Sequence, residues 1–112
     1  MSRIEKLLDF IKTSGPDSFL QHALALEYIK IDHDDAARKL FNEILSREPG
    51  YIGSYYHLGK LLERAADYDE AIDVYKKGMA EAKKVKDQHS YNELHGALED
   101  LEDEEGIEHS ED

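Results

Sequence analysis

The side chains of this chain best suited to acid–base or metal chemistry are its 26 carboxylates and six histidines: His22, His33, His57, His89, His95 and His109. A helical zinc protease site needs two histidines four apart, with a glutamate next to the first. No pair of these histidines has that spacing. The chain contains no cysteine, so thiolate metal ligands, disulfides and thiol nucleophiles are all excluded. It also lacks a glycine-rich phosphate loop and a Gly-x-Ser-x-Gly nucleophile turn. Carboxylates alone do not make a site, because raising the pKa of one of them takes a deep, dry pocket. The expectation is a non-enzyme with no catalytic residue, no metal and no cofactor.

The charge is unevenly placed. The net charge is −12, and residues 99–112, "EDLEDEEGIEHSED", carry nine acidic residues and no Lys or Arg. The first 98 residues hold the other 17 acidic residues against 14 basic ones, a net of only −3. The body is therefore nearly balanced, and the acidic block has the composition of a solvated, disordered tail. Both features repel phosphate backbones, so no nucleic-acid partner is expected. No apolar run reaches the roughly 18 residues of a membrane span, and the first residues lack the apolar core of a signal peptide. A soluble, cytoplasmic protein with no membrane partner is the expectation.

The elements read as helices throughout. Ser2 and Glu5 have the spacing of a capping box, and Ile4, Leu7, Leu8 and Ile11 form one apolar face. Gly15-Pro16 ends that helix. Further helices are expected over about 17–31, up to 47, over 51–66, up to 86, and over 88–104. Asp32–Asp35 and Asp67–Asp69 are turns whose carboxylates are suited to the next helix start. Pro49-Gly50 is another break. No hairpin turn joins two alternating runs, so no strand is expected.

A 34-residue register runs through these helices. Shifting by it places Leu24 on Leu58, Ala25 on Gly59, Tyr28 on Leu62, Ala37 on Ala71 and Phe41 on Tyr75. Small residues fall on small ones and large apolar residues on large ones. This pattern resembles the tetratricopeptide repeat, whose unit is two antiparallel helices, A and B. The first repeat supplies Leu24, Ala25, Tyr28, Ala37, Phe41 and Pro49. The second supplies Tyr55, Leu58, Gly59, Leu62, Ala71 and Tyr75. Gln21 stands where the first repeat should have an aromatic, Gly78 replaces a small Ala, and Lys83 replaces a Pro, so that the second helix B can run on. The resemblance implies an all-α fold, a short right-handed superhelix of stacked helical hairpins, as in small bacterial-type two-repeat proteins with flanking helices. The expected organisation is an N-terminal helix resembling a lone helix B (1–15), repeat one (16–50), repeat two (51–86), a capping helix (87–104) and the acidic tail (105–112). Ala25 with Ala37, and Gly59 with Ala71, would mark the crossings within each hairpin. Phe41 and Tyr75 would fill the space between repeats.

The resemblance also implies a concave surface lined by helix A. Its positions would be Phe19, His22, Leu26, Ile29 and Lys30 in repeat one, and Gly53, Tyr56, Lys60, Glu63 and Arg64 in repeat two. The spacing 19-22-26-29 and 53-56-60-63 is a helical stripe separate from the packing stripe. One reading is a groove for a protein or peptide segment. Another is core covered by a further helix, and a third is self-association as a weak homodimer rather than a monomer. Some family members clamp acidic C-terminal tails with Lys, Asn and Arg. Here His22 and Leu26 occupy positions where basic and Asn side chains would help, so that ligand is not expected. Lys83, Lys84 and Lys86 suit a helix C-terminus through the macrodipole.

Overall fold

Side-chain capping sets where three of the helices begin. In the computed structural model, which describes residues 2–106, Ser2 and Glu5 close a reciprocal capping box. The Glu5 N–H donates to Ser2 Oγ at 3.1 Å, and the Ser2 N–H donates to Glu5 Oε1 at 3.3 Å. This opens helix α1 (Arg3–Ser14), which ends at Gly15 with φ of 83°. Asp17 accepts from the Leu20 N–H at 3.0 Å and opens α2 (Ser18–Lys30). α3 (Asp34–Arg47), α4 (Gly53–Arg64), α5 (Tyr68–Lys84) and α6 (Gln88–Glu104) follow. Asp87 caps α6 by accepting from both the N–H and the hydroxyl of Ser90, which holds its carboxyl below the ordinary value. Among the described residues there is no strand. From residue 107 onward, the expected acidic tail lies outside the described residues.

The carboxylate-rich turns cap differently from the sequence expectation. The residue before α3 is His33 and the one before α5 is Asp67, and neither side chain makes a capping hydrogen bond. The preceding helices instead finish on a left-handed residue: Asp32, Ala66 and Lys86 have φ of 61°, 60° and 59°. At each one, the next N–H reaches back five residues. His33 donates to the Tyr28 carbonyl at 2.9 Å, Asp67 to Leu62 at 2.8 Å, and Asp87 to Ala82 at 2.9 Å. These are Schellman closures, built here without the usual glycine.

The chain divides into two compact units that meet in sequence at Ser54 and Tyr55. In the first, α2 packs against both α1 and α3. Its core is Leu7, Leu24, Ala25, Ala37, Phe41 and Ile44. Phe41 and Ile44 are fully buried, and each such side chain contributes about 1.5–3 kcal/mol. In the second, α5 packs against α6, and Leu58, Leu62, Ala71, Tyr75, Leu94 and Leu101 are among its buried residues. α5 runs on to Lys84, as expected where Lys83 replaces a proline.

Two glycines set the packing distances of the second unit. A Cβ at Gly59 would lie 2.2 Å from Tyr75 Cε1 and 2.5 Å from Cζ. The nearest side chain is thus the Tyr75 ring, one turn along α5 from the Ala71 expected at this crossing. Tyr75 fills space inside its own hairpin. A Cβ at Gly78 would lie 2.7 Å from Tyr55 Cβ and 2.9 Å from Leu94 Cδ1. Gly78 therefore lets α5 approach α4 and α6 together, and an alanine there would not fit.

Candidate protein-binding faces

On α2 the stripe begins with Phe19, a large apolar side chain that is 71% exposed. Leu26 and Ile29 are half-buried. His22 is fixed in place. Its Nδ1 lies 2.9 Å from the hydroxyl of buried Ser54, and its ring meets Phe41 edge-on with centroids 5.5 Å apart. Tyr51 lies on another side at 5.7 Å. His22 thus ties α2 to residues 51–54 of the first unit, from the loop after α3 into the first turn of α4. Lys30 donates to Glu27 at 2.9 Å, and Arg3 of α1 reaches the same carboxylate at 3.4 Å. Lys30, then Arg3, holds the Glu27 carboxyl below its ordinary value.

On α4, Lys60 Nζ lies 3.5 Å from Glu63 and 5.6 Å from the centroid of the Tyr56 ring. The Tyr75 hydroxyl donates to Glu63 from inside the hairpin. Burial, reinforced by Glu63, pushes the Tyr75 phenol far above its usual range, so it stays a donor. Glu63 thus gathers Tyr75 and Lys60, and the charge of Lys60 is matched on its own helix. Tyr56 is half-buried and Arg64 is exposed.

Of the positions carried by the repeat pattern, Leu24, Ala25, Ala37, Phe41, Tyr55, Leu58, Gly59, Leu62, Ala71 and Tyr75 are buried. Tyr28 is half-buried and Pro49 is exposed. Gln21, which departs from the pattern, is buried at 4% exposure. Its amide oxygen accepts from Arg47 and its amide nitrogen donates to Glu43 at 3.2 Å. The sequence marks this position only as a missing aromatic. Among the described residues, no group of three or more His, Cys, Asp or Glu side chains could hold a metal ion, and no helix is long and apolar enough to cross a membrane.

The profile of the tetratricopeptide repeat matches residues 52–84. The solution structure of a tetratricopeptide repeat domain protein from Salinibacter ruber is 41% identical, with a TM-score of 0.75 over 86% of this chain and 94% of that one. The chain belongs to the tetratricopeptide repeat family. A crystal structure of the Salinibacter ruber domain protein also matches, covering 83% of this tetratricopeptide chain and all of that one at TM-score 0.75 and 41% identity. A Bordetella parapertussis protein solved in solution is 27% identical, with a TM-score of 0.82 over 97% of this chain and 95% of that one. No curated protein sequence matches. The tetratricopeptide fold is a scaffold for protein–protein interaction, and domains of this family are in general not catalytic.

Proposed function

We propose that this protein is an interaction module that binds a protein segment through its helix A faces. On α2 the contacts are Phe19, His22, Leu26, Ile29 and Lys30, and on α4 they are Tyr56, Lys60, Glu63 and Arg64. The observation that carries this reading is Phe19. A phenylalanine 71% exposed at the start of a helical stripe leaves most of its surface outside the core, and exposed aromatic area at a rim of polar groups is what a partner covers. The remaining residues supply the mixture an interface needs: half-buried apolar anchors, a Lys–Glu pair already oriented by Tyr75, and one exposed guanidinium. Its chemistry is recognition, without a reaction step.

The test compares wild type with Phe19→Ala, Leu26→Glu and Tyr56→Ala in affinity capture from source lysate, followed by titration of the captured protein. A protein bound by wild type and lost by the variants, each still folded by circular dichroism, supports the assignment. Unchanged affinity in all three overturns it. Light scattering over a concentration series addresses self-association through the same patch. A two-chain mass that reverts to one chain in Phe19→Ala would assign the face to a second copy.

A further inference from the structure

A second surface lies on the first unit, between α2 and α3, and its reading is independent of the one above. A cavity of about 800 Å³ opens beside α3. Its wall includes Gln21, Arg38, Lys39, Asn42, Ser46 and Arg47. Glu43 and Arg47 are four apart on α3, the spacing of a helical ion pair. They do not form one. The buried amide of Gln21 stands between them, accepting from Arg47 and donating to Glu43. Arg47 also donates to Ser18 Oγ at 2.8 Å, and the Ser18 hydroxyl in turn donates to Glu48 at 2.8 Å. Two buried side chains, Ser18 and Gln21, therefore hold one nitrogen of the guanidinium. Among the described residues, Arg47 has only these neutral oxygen partners, and its other N–H groups have none. Lys39 has no polar partner among the described residues.

We propose that this cavity binds an acidic segment of a partner protein, with Arg47 and Lys39 taking its carboxylates. An immobilised guanidinium with its remaining donors unused suits a bidentate carboxylate, because the rotamer entropy of the long side chain has already been lost. Arg47 and Lys39 are eight residues apart on α3, or about 12 Å, which an extended chain spans in roughly four residues. The fit is thus to two acidic side chains about four apart, which lie on the same side of an extended strand. Asp35 and Glu43 stand in the same wall, which thus carries three cations against two carboxylates, and Glu43, four residues from both Lys39 and Arg47, keeps the two cation positions apart. Asn42 and Ser46, between and beside the cations, offer hydrogen bonds to the segment's backbone.

The test is an NMR titration of the full chain with a hexaglutamate peptide at low salt, with inorganic phosphate as a parallel arm. The expected result is shifts at Lys39, Asn42 and Ser46 amides and at Arg47 Nε–H. Lys39→Ala, which removes no hydrogen bond or ion pair among the described residues, should weaken binding about threefold. Arg47→Lys, which keeps the charge but loses the fork, should weaken it further, and thermal melts establish that both variants stay folded. Shifts confined to Lys83, Lys84 and Lys86 would overturn the proposal, as would an unchanged affinity in Lys39→Ala. Equal binding of phosphate would replace the segment with a free anion. Tighter peptide binding after deletion of residues 107–112 would reassign the site to the chain's own terminus.

Discussion

The ring of Tyr75 occupies the space that a side chain at Gly59 would need, with Cε1 2.2 Å from the place of the missing Cβ. Steric exclusion, and not helix propensity, thus decides the residue at position 59. Gly59→Ala improves propensity by about 1 kcal/mol yet should lower stability by a net 1–3 kcal/mol or so, because the ring is fully buried and cannot swing away. Gly96 is the internal control. A Cβ there meets nothing within 4 Å, so Gly96→Ala should stabilise by roughly 0.5–1 kcal/mol. Urea unfolding of the two variants gives the two signs.

The left-handed corner at Ala66 predicts the opposite response to glycine. Its φ of 60° is strained for an L-residue, and the Asp67 N–H bond to Leu62 fixes it there. Ala66→Gly should raise the unfolding free energy by about 0.5–1 kcal/mol, since relief of strain exceeds the added chain entropy. The same change at Lys86, on a corner of the same geometry, should match it. A loss of stability at both would refute the Schellman assignment.

Removing the Tyr75 hydroxyl isolates its bond to Glu63. Tyr75→Phe keeps the ring over Gly59 and removes one donor to a carboxylate that still has Lys60. The expected cost is about 1 kcal/mol, measured by chemical denaturation, and the Lys60 to Glu63 contact should tighten in compensation.

His57 predicts a pH dependence. Burial lowers its pKa below the ordinary 6.5, and the charge of Glu93 offsets this only in part. As pH falls through 6.5 the unfolded chain takes the proton first, so stability should fall with pH from that point down to the folded-state value. The slope cannot exceed about 1.4 kcal/mol per pH unit for one group. His57→Gln should flatten this part of the profile, as read from thermal midpoints between pH 7.5 and the start of carboxylate titration.

Helix number and repeat phase were legible because they rest on periodicity. Leu24 with Leu58, and Phe41 with Tyr75, announce equivalent turns of equivalent helices. The partner of Gly59 was not legible. Ala71 and Tyr75 are one turn apart on the same face of α5, and sequence spacing cannot tell which of them reaches across a crossing. The corners at Asp32, Ala66 and Lys86 were hidden for another reason. A left-handed cap normally advertises itself through glycine, and here tertiary closure imposes it on residues with no such preference. Gln21 was visible only as a departure. That its amide separates Glu43 from Arg47 depends on how α2 faces α3, which no local pattern encodes.

The match between Gly59 and Tyr75 bears on how such chains can be recombined. The first hairpin has Ala25 and Phe41 at the equivalent positions, both fully buried. A chimera that joined helix α2 to helix α5 would set an alanine methyl against the tyrosine ring. The converse chimera would leave a glycine under a phenylalanine, with a void of about one methyl. Each hairpin is therefore an indivisible cassette, and viable crossovers fall between hairpins, in the segment around Pro49 and Gly50, and not at the corners within them.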